Sequence, residues 1–105
     1  MLNKTQKKIR AGLVEYDVIL LVGSENSEVD DLVGRLLNSQ VLKEFGKKVL
    51  VLPADRCEDL AGLYYTYEFS DRIRAIGGNC QYGSLMNFVA QGLLTEQEMF
   101  ESILR

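Results

Sequence analysis

The sequence contains no histidine, one proline and two cysteines among its 105 residues. Without histidine, the chain cannot build a Ser-His-Asp or Cys-His catalytic system, and most catalytic zinc sites are excluded. Any catalysis would have to use carboxylates, tyrosine, lysine or an activated cysteine. Cys57 and Cys80 form no CxxC pair and are too few for a disulfide framework, so we expect free thiols.

Long hydrophobic runs are also missing. The longest wholly apolar run is Val18–Val22, and a membrane-spanning helix needs about 20 such residues. The basic start is followed by AGLVEYD, which is too short and too charged for the core of a signal peptide. We therefore expect a soluble, cytoplasmic protein with no membrane partner.

The charge balance argues against a nucleic-acid partner. The formal net charge is −3, whereas binding to a phosphate backbone requires clustered Lys and Arg. The one basic cluster, Lys4, Lys7, Lys8 and Arg10, fits a solvated helix face, with a contact patch for an acidic partner as the alternative. A content of 47% hydrophobic and 26% charged residues is typical of one globular domain over residues 1–105.

The first half of the chain predicts a βαβ unit. Val18–Val22, ending at Gly23, and Val49–Leu52, closed by Pro53, are short apolar runs typical of strands buried on both faces. Between them, an apolar stripe at helical spacing predicts a helix that bends or breaks at residues 38–40 and ends at Gly46. Such a unit has parallel strands and a right-handed crossover.

The second half is less uniform. Residues 56–69 fit either a helix or a strand, and we favour a helix over 56–68. A third strand is expected over residues 72–76, with Arg72 and Arg74 on its polar side, as suits an edge strand. A helix then runs from Leu85 to Gly92, and a last helix follows a Thr95 capping box.

The predicted fold class is therefore α/β. We expect a small three-layer Rossmann/flavodoxin-like domain with a short, about three-stranded, mostly parallel sheet and a C-terminal helical hairpin. In such open sheets, ligands bind beyond the carboxyl ends of the strands. Three segments are expected there: Gly23–Ser27, Pro53–Asp55 and Gly77–Ser84.

The segment after the first strand, GSENS, has the position of a phosphate-binding loop. Its spacing is similar to that of the flavodoxin phosphate loop, in which hydroxyl residues and Asn hold a flavin phosphate. The sequence has neither Gly-x-Gly-x-x-Gly nor Gly-Lys-Ser/Thr, and acidic residues crowd the helix start, where they repel phosphate. We interpret this segment as a helix start capped by Ser27, in which Ser24 and Asn26 could contact a ligand through neutral hydrogen bonds.

The segment GGNCQYGS is uncharged and is the better candidate cradle for an anionic or polar ligand. Ser84 is expected to cap the helix that starts at Leu85. Cys80 would be reactive if the helix N-terminus activates it, and an ordinary free thiol otherwise. The candidate ligand-binding residues are Gly77, Gly78, Asn79, Cys80, Gly83, Ser84, Ser24, Asn26 and Asp55.

Asp55 follows a strand end, where phosphoacceptor and Mg²⁺-binding aspartates are often found. Together with Glu58, Asp59 and the acidic residues near Ser27 it could hold a cation, but helix capping explains Asp55 without one. We predict no metal site.

Two further features suggest protein contacts. The aromatic stretch LYYTYEF contains more Tyr than one small core can take, so part of it is expected at an interface or at the surface. The segment MNFVAQGLLTEQEMFESILR resembles the short C-terminal helical hairpins of the SHOCT family, which implies a role in oligomerisation or protein contact. Pairing across a sheet edge or packing of the last helix would give a homodimer.

The sequence thus favours a non-catalytic module that binds a small molecule or serves regulation and protein interaction. The alternative is an enzyme, or an enzyme subunit, acting on a phosphorylated or nucleotide-like ligand through carboxylates or Cys80. The identity of any ligand or cofactor stays open.

Overall fold

The computed structural model describes residues 4–23, 27–54, 71–77 and 81–105, and the structural statements below refer to these residues. They form five helices and three strands. In chain order these are α1 (Lys4–Glu15), β1 (Val18–Gly23), α2 (Ser27–Leu37), α3 (Gln40–Phe45), β2 (Val49–Ala54), β3 (Ile73–Ile76), α4 (Gln81–Ala90) and α5 (Glu96–Leu104). The α/β class is confirmed, and the prediction for residues 56–69 lies outside the described residues.

The strands form a parallel sheet in the order β2-β1-β3. β1 pairs with both neighbours, with Ile19 opposite Leu50 on one side and Ile73 on the other. The predicted strand-helix-strand unit and the short third strand are therefore confirmed. One boundary was wrong, because β2 continues through Pro53 to Ala54. Pro53 is compatible with this place because, within the described residues, β2 lies at the edge of the sheet.

Helices cover both faces of the sheet, which gives the predicted three layers. On one face α1 packs Ile9 and Leu13 against Ile19 and Leu21 of the central strand. A Cβ at Gly12 would lie 2.6 Å from Cδ2 of Leu50, so a glycine there lets α1 lie close to the sheet.

The other face carries the larger core. Leu20 of β1, which is 0% exposed, packs there with side chains from α2, α3, α4 and α5. Its most deeply buried helical members are Leu36, Met99, Ile103 and Leu104. No helix among the described residues is long and apolar enough to cross a membrane.

The predicted interruption of the second helix is present at Asn38–Ser39. Ser39 is the N-cap of α3, and its side chain accepts a hydrogen bond from the N–H of Leu42 at 3.2 Å. Gly46 ends α3 in the left-handed region, as predicted. α2 begins at Ser27 itself, so the structure assigns Ser27 to the helix, whereas the sequence predicted it as the capping residue before the helix. The residue that precedes the helix lies outside the described residues.

The C-terminal hairpin is held by two standard helix ends. At the end of α4, Gly92 donates its N–H to Val89 at 3.1 Å and Leu93 donates to Phe88 at 2.9 Å, which is a Schellman motif. At the start of α5, Thr95 and Glu98 form the predicted capping box. The start of α4 was predicted wrongly: it begins at Gln81 rather than Leu85, so Ser84 lies inside the first turn and is not the cap.

The amino ends of the three strands are joined around Asp17. Its carboxylate accepts the N–H of Lys48, just before β2, at 2.8 Å. Arg72, just before β3, donates to the backbone carbonyls of Tyr16 and Asp17. These bonds fix the starts of β2 and β3 against the start of β1, and they give the Arg72 side chain a structural role.

The capping box predicts a pH-dependent contribution of Glu98 to stability. The backbone N–H of Thr95 donates to the Glu98 carboxylate at 3.0 Å, and this bond, followed by the bond between Glu98 and the Thr95 side chain, lowers the pKa of Glu98 below its ordinary value. Because the folded pKa is depressed, the contribution is complete above the ordinary pKa and is lost as the pH falls through the lowered one.

Thermal unfolding of the wild type and of Glu98→Gln, followed from neutral pH to about pH 3, should show the wild type more stable at neutral pH and the difference vanishing in acid. Glu101→Gln removes a carboxylate of the same helix outside the box and separates the box from the charge alone. A wild-type advantage that does not change with pH contradicts this account.

Candidate functional site

The carboxyl ends of the three strands lie at one edge of the sheet. Gly23 at the end of β1 is opposite Ala54 of β2, and Val22 is opposite Ile76 of β3. The segments that follow the strands therefore leave from the same edge, as predicted. Among the predicted ligand residues, the structure describes Gly77, Gly83 and Ser84. The others, Ser24, Asn26, Asp55, Gly78, Asn79 and Cys80, lie outside the described residues.

Backbone contacts between glycines build this edge. Gly77 follows β3 directly, is buried, and has a φ of 112°. A Cβ at Gly77 would lie 2.7 Å from the carbonyl oxygen of Gly23, and a Cβ at Gly83 would lie 2.9 Å from the nitrogen of Gly77. The end of β1, the end of β3 and the first turn of α4 are thus in direct backbone contact, which only glycine allows.

This contact changes the interpretation of the glycines. The sequence predicted that Gly77 and Gly83 let backbone N–H groups approach a ligand closely, and the structure shows both glycines used to bring backbone against backbone. They place the N-terminus of α4 directly beside the ends of the two strands.

The two helices that start at this edge differ in charge. α2 carries Glu28 and Asp30 in its first turn, which favours the helix and disfavours an anion. α4 has no acidic residue in its first turn, so its N–H groups and its positive dipole end are not neutralised there by a carboxylate of the same turn. The predicted contrast between the two helix starts is confirmed.

Among the described residues, Arg74 is the one charged residue that is buried in the core. It is 8% exposed and lies opposite Leu20 in the central strand, on the face covered by α2, α4 and α5. The expectation that Arg74 lies on the polar side of an edge strand is wrong. Successive residues of a strand point to opposite faces, so Arg74 lies on the same face as Ile76, the face of the larger core, and opposite to Ile73 and Ala75. The sequence IRAI already shows this alternation.

The guanidinium of Arg74 is poorly satisfied. Nη1 donates to the carbonyl of Ile73 at 3.2 Å, and Nε has no hydrogen-bond partner among the described residues. The guanidinium carbon lies 5.9 Å from the centroid of the Tyr82 ring, in the first turn of α4. Burying a charge without a counter-ion costs several kcal/mol, whereas a cation–π contact returns about 1–2 kcal/mol. Sequence reasoning missed both Arg74 and Tyr82 as candidate site residues.

A groove of about 350 Å³ lies elsewhere, between α3 and the start of α5, with Val41 and Phe100 in its lining. Glu96, which also lines it, is paired with Nε of Arg35 at 2.9 Å. By the strand direction this groove is near the amino edge of the sheet, away from the segments where ligands of parallel sheets bind. In the described part of the chain, no group of three His, Cys, Asp or Glu is arranged to hold a metal ion.

The glycine contact gives a stability prediction with an internal control. Gly83→Ala places a methyl group against the Gly77 backbone and should destabilise the fold by about 1–3 kcal/mol, as overpacking does. Gly34→Ala, also within a helix, meets nothing within 4 Å and should stabilise by about 0.5–1 kcal/mol through helix propensity.

Urea unfolding of both variants measures the two changes in the free energy of unfolding. If both variants were stabilised to the same extent, α4 would not lie against the end of β3 as described.

Comparison of the chain with models of known protein families, with curated proteins and with solved structures found no match. The residues of this chain and their geometry therefore carry the functional inference.

Proposed function

We propose that the chain is a non-catalytic, cytoplasmic binding domain whose small-molecule ligand lies at the carboxyl edge of the sheet, beside the first turn of α4. The observation that carries this proposal is the backbone contact from Gly23 through Gly77 to Gly83. It places a helix N-terminus free of acidic residues at the edge where open parallel sheets bind ligands.

Sequence chemistry at this edge is consistent with a polar ligand. The segments that follow β1 and β3 contribute Ser24, Asn26 and Asn79, whose neutral side chains both donate and accept hydrogen bonds. Gly78 and Cys80 complete the uncharged segment between β3 and α4. The missing histidine argues against Ser-His-Asp and Cys-His catalysis and against most catalytic zinc sites, and a binding role needs none of these.

A protein-interaction role, with a homodimer as its simplest form, is the second candidate. Phe88 is 46% exposed and Leu93 is 69% exposed, and the two adjoin at the turn between α4 and α5. They occupy the positions of the Schellman motif that commonly make a local hydrophobic contact. Because the motif itself favours apolar residues at these two positions, their exposure does not require a partner, and this candidate ranks below ligand binding.

The enzyme alternative depends on Asp55 and Cys80, which lie outside the described residues. No observation on the described residues favours it, and it stays an alternative.

Native mass spectrometry of the purified protein tests the binding proposal. We expect a co-purifying small-molecule adduct on the wild type. Gly78→Leu adds a bulky side chain to the segment proposed to bind the ligand and should abolish the adduct, and cooperative thermal unfolding of this variant would show that the fold is kept. Gly34→Leu, which adds the same side chain to an open helix position, should keep the adduct. A wild type that carries no adduct and binds nothing from a metabolite mixture would lead us to abandon this function.

The same measurement tests the second candidate. A dimer that Leu93→Glu converts to a monomer would support contact through the α4–α5 turn. A monomer at all accessible concentrations, confirmed by light scattering, would remove the homodimer form of this candidate and leave ligand binding in place.

A further inference from the structure

We propose that Arg74 binds an oxyanion of the ligand, so that the ligand is a small molecule carrying a phosphate or carboxylate group. This inference rests on the proposed function and specifies its ligand class.

The first argument is the unsatisfied state of a buried cation. Arg74 is only 8% exposed, and its Nε has no hydrogen-bond partner among the described residues. Within that part of the chain, the ion pair present joins Arg35 to Glu96 and leaves Arg74 without a carboxylate. Because a buried charge is strongly disfavoured unless it is paired, the site is completed by an anion.

Arg72 and Arg74 differ in how their side chains are bonded. Arg72 lies two positions earlier, and it donates to the carbonyls of Tyr16 and Asp17 at the amino edge of the sheet. Its role is therefore structural. Among the described residues, Arg74 donates one side-chain hydrogen bond, from Nη1 to the adjacent carbonyl of Ile73. Most of its planar donor set is thus left for a partner that the described chain does not supply.

The position of the Arg74 guanidinium also favours an anion. The guanidinium lies 5.9 Å from the ring centroid of Tyr82, the second residue of α4, so it lies against the first turn of that helix. The contact of Gly83 with Gly77 fixes this turn at the end of β3. A guanidinium beside the positive dipole end of an acid-free helix start is complementary to an oxyanion, since both favour negative charge.

The competing explanation is a carboxylate of this chain. Asp55, Glu58, Asp59 and Glu68 lie outside the described residues. If one of them pairs with Arg74, the cation is satisfied internally and no anion is needed, so the experiment must separate these two cases.

The test uses inorganic phosphate and acetate as probes, each compared with sodium chloride at the same ionic strength. Their binding is measured by amide chemical shifts of Gly77 and Gly83 and by the Nε–H signal of Arg74 in the full chain. We expect phosphate, acetate or both to shift all three signals of the wild type, and the tighter probe identifies the favoured oxyanion.

Arg74→Met should weaken that binding at least about tenfold, as loss of a charged hydrogen-bond donor does, and Arg74→Lys should weaken it less. Arg35→Met removes the same charge at a side chain that is 52% exposed and should bind like the wild type. The Nε–H signal is read in the wild type, so the test survives an Arg74→Met variant that does not fold.

Two results would overturn the inference. The first is an Nε–H signal that responds to neither probe, as expected if a carboxylate of residues 55–70 already holds Arg74. The second is unchanged probe binding by Arg74→Met. Either result leaves the proposed function intact if native mass spectrometry still shows a ligand, and that ligand would then be neutral. If the adduct is absent as well, both proposals fail.

Discussion

The burial of β1 on both faces is the constraint on which the rest of the fold depends. Ile19, Leu20 and Leu21 are all 0% exposed, and a strand of this kind is stable only with a sheet neighbour on each side and a helical layer on each face. α1 supplies one layer and α2 to α5 supply the other. Since both neighbours run parallel to β1, all three strands end at the same edge, and the location of the proposed site follows from that direction.

Much of this arrangement could be predicted from the sequence because it depends on local chemistry. The apolar run of β1, the Ser39 break, the stop at Gly46 and the Thr95 capping box each need only a few neighbouring residues. Short-range signals of this kind agree with the global fold in natural sequences.

The errors have a common physical origin in contacts between distant parts of the chain. α4 starts before Leu85 because Gly83 packs on Gly77 and carries the helix start to the strand end. Arg74 is buried because Tyr82 and the helical layer cover its face of β3, although an arginine on an edge strand normally lies in solvent. Neither contact is visible in the spacing of residues along the chain. The aromatic segment and the loops after β1 and β3 lie outside the described residues and stay predictions.

Arg74 also changes how the charge of the molecule is interpreted. A net charge of −3 argues against polyanions, which bind through extended basic surfaces. It does not argue against a small anion, because a single buried cation acts in a low dielectric, where its field is much less screened than that of surface charges. The expectation that the chain has no nucleic-acid partner and the proposal of an oxyanion ligand are therefore compatible.

The proline inside β2 has a consequence for how the sheet can grow. Pro53 has no N–H, and prolines in edge strands turn that nitrogen away from their partner. The side of β2 that faces no other described strand therefore lacks a donor near the carboxyl edge. A strand from another molecule that extended past Leu52 would find an interrupted ladder there. Two lysines, Lys47 and Lys48, stand just before the other end of β2, and lysines near a sheet edge discourage such addition. Pro53 and the two lysines thus protect an edge that is open within the described residues against intermolecular sheet extension, and assembly through this side of the sheet would have to use side chains rather than a continuous backbone ladder.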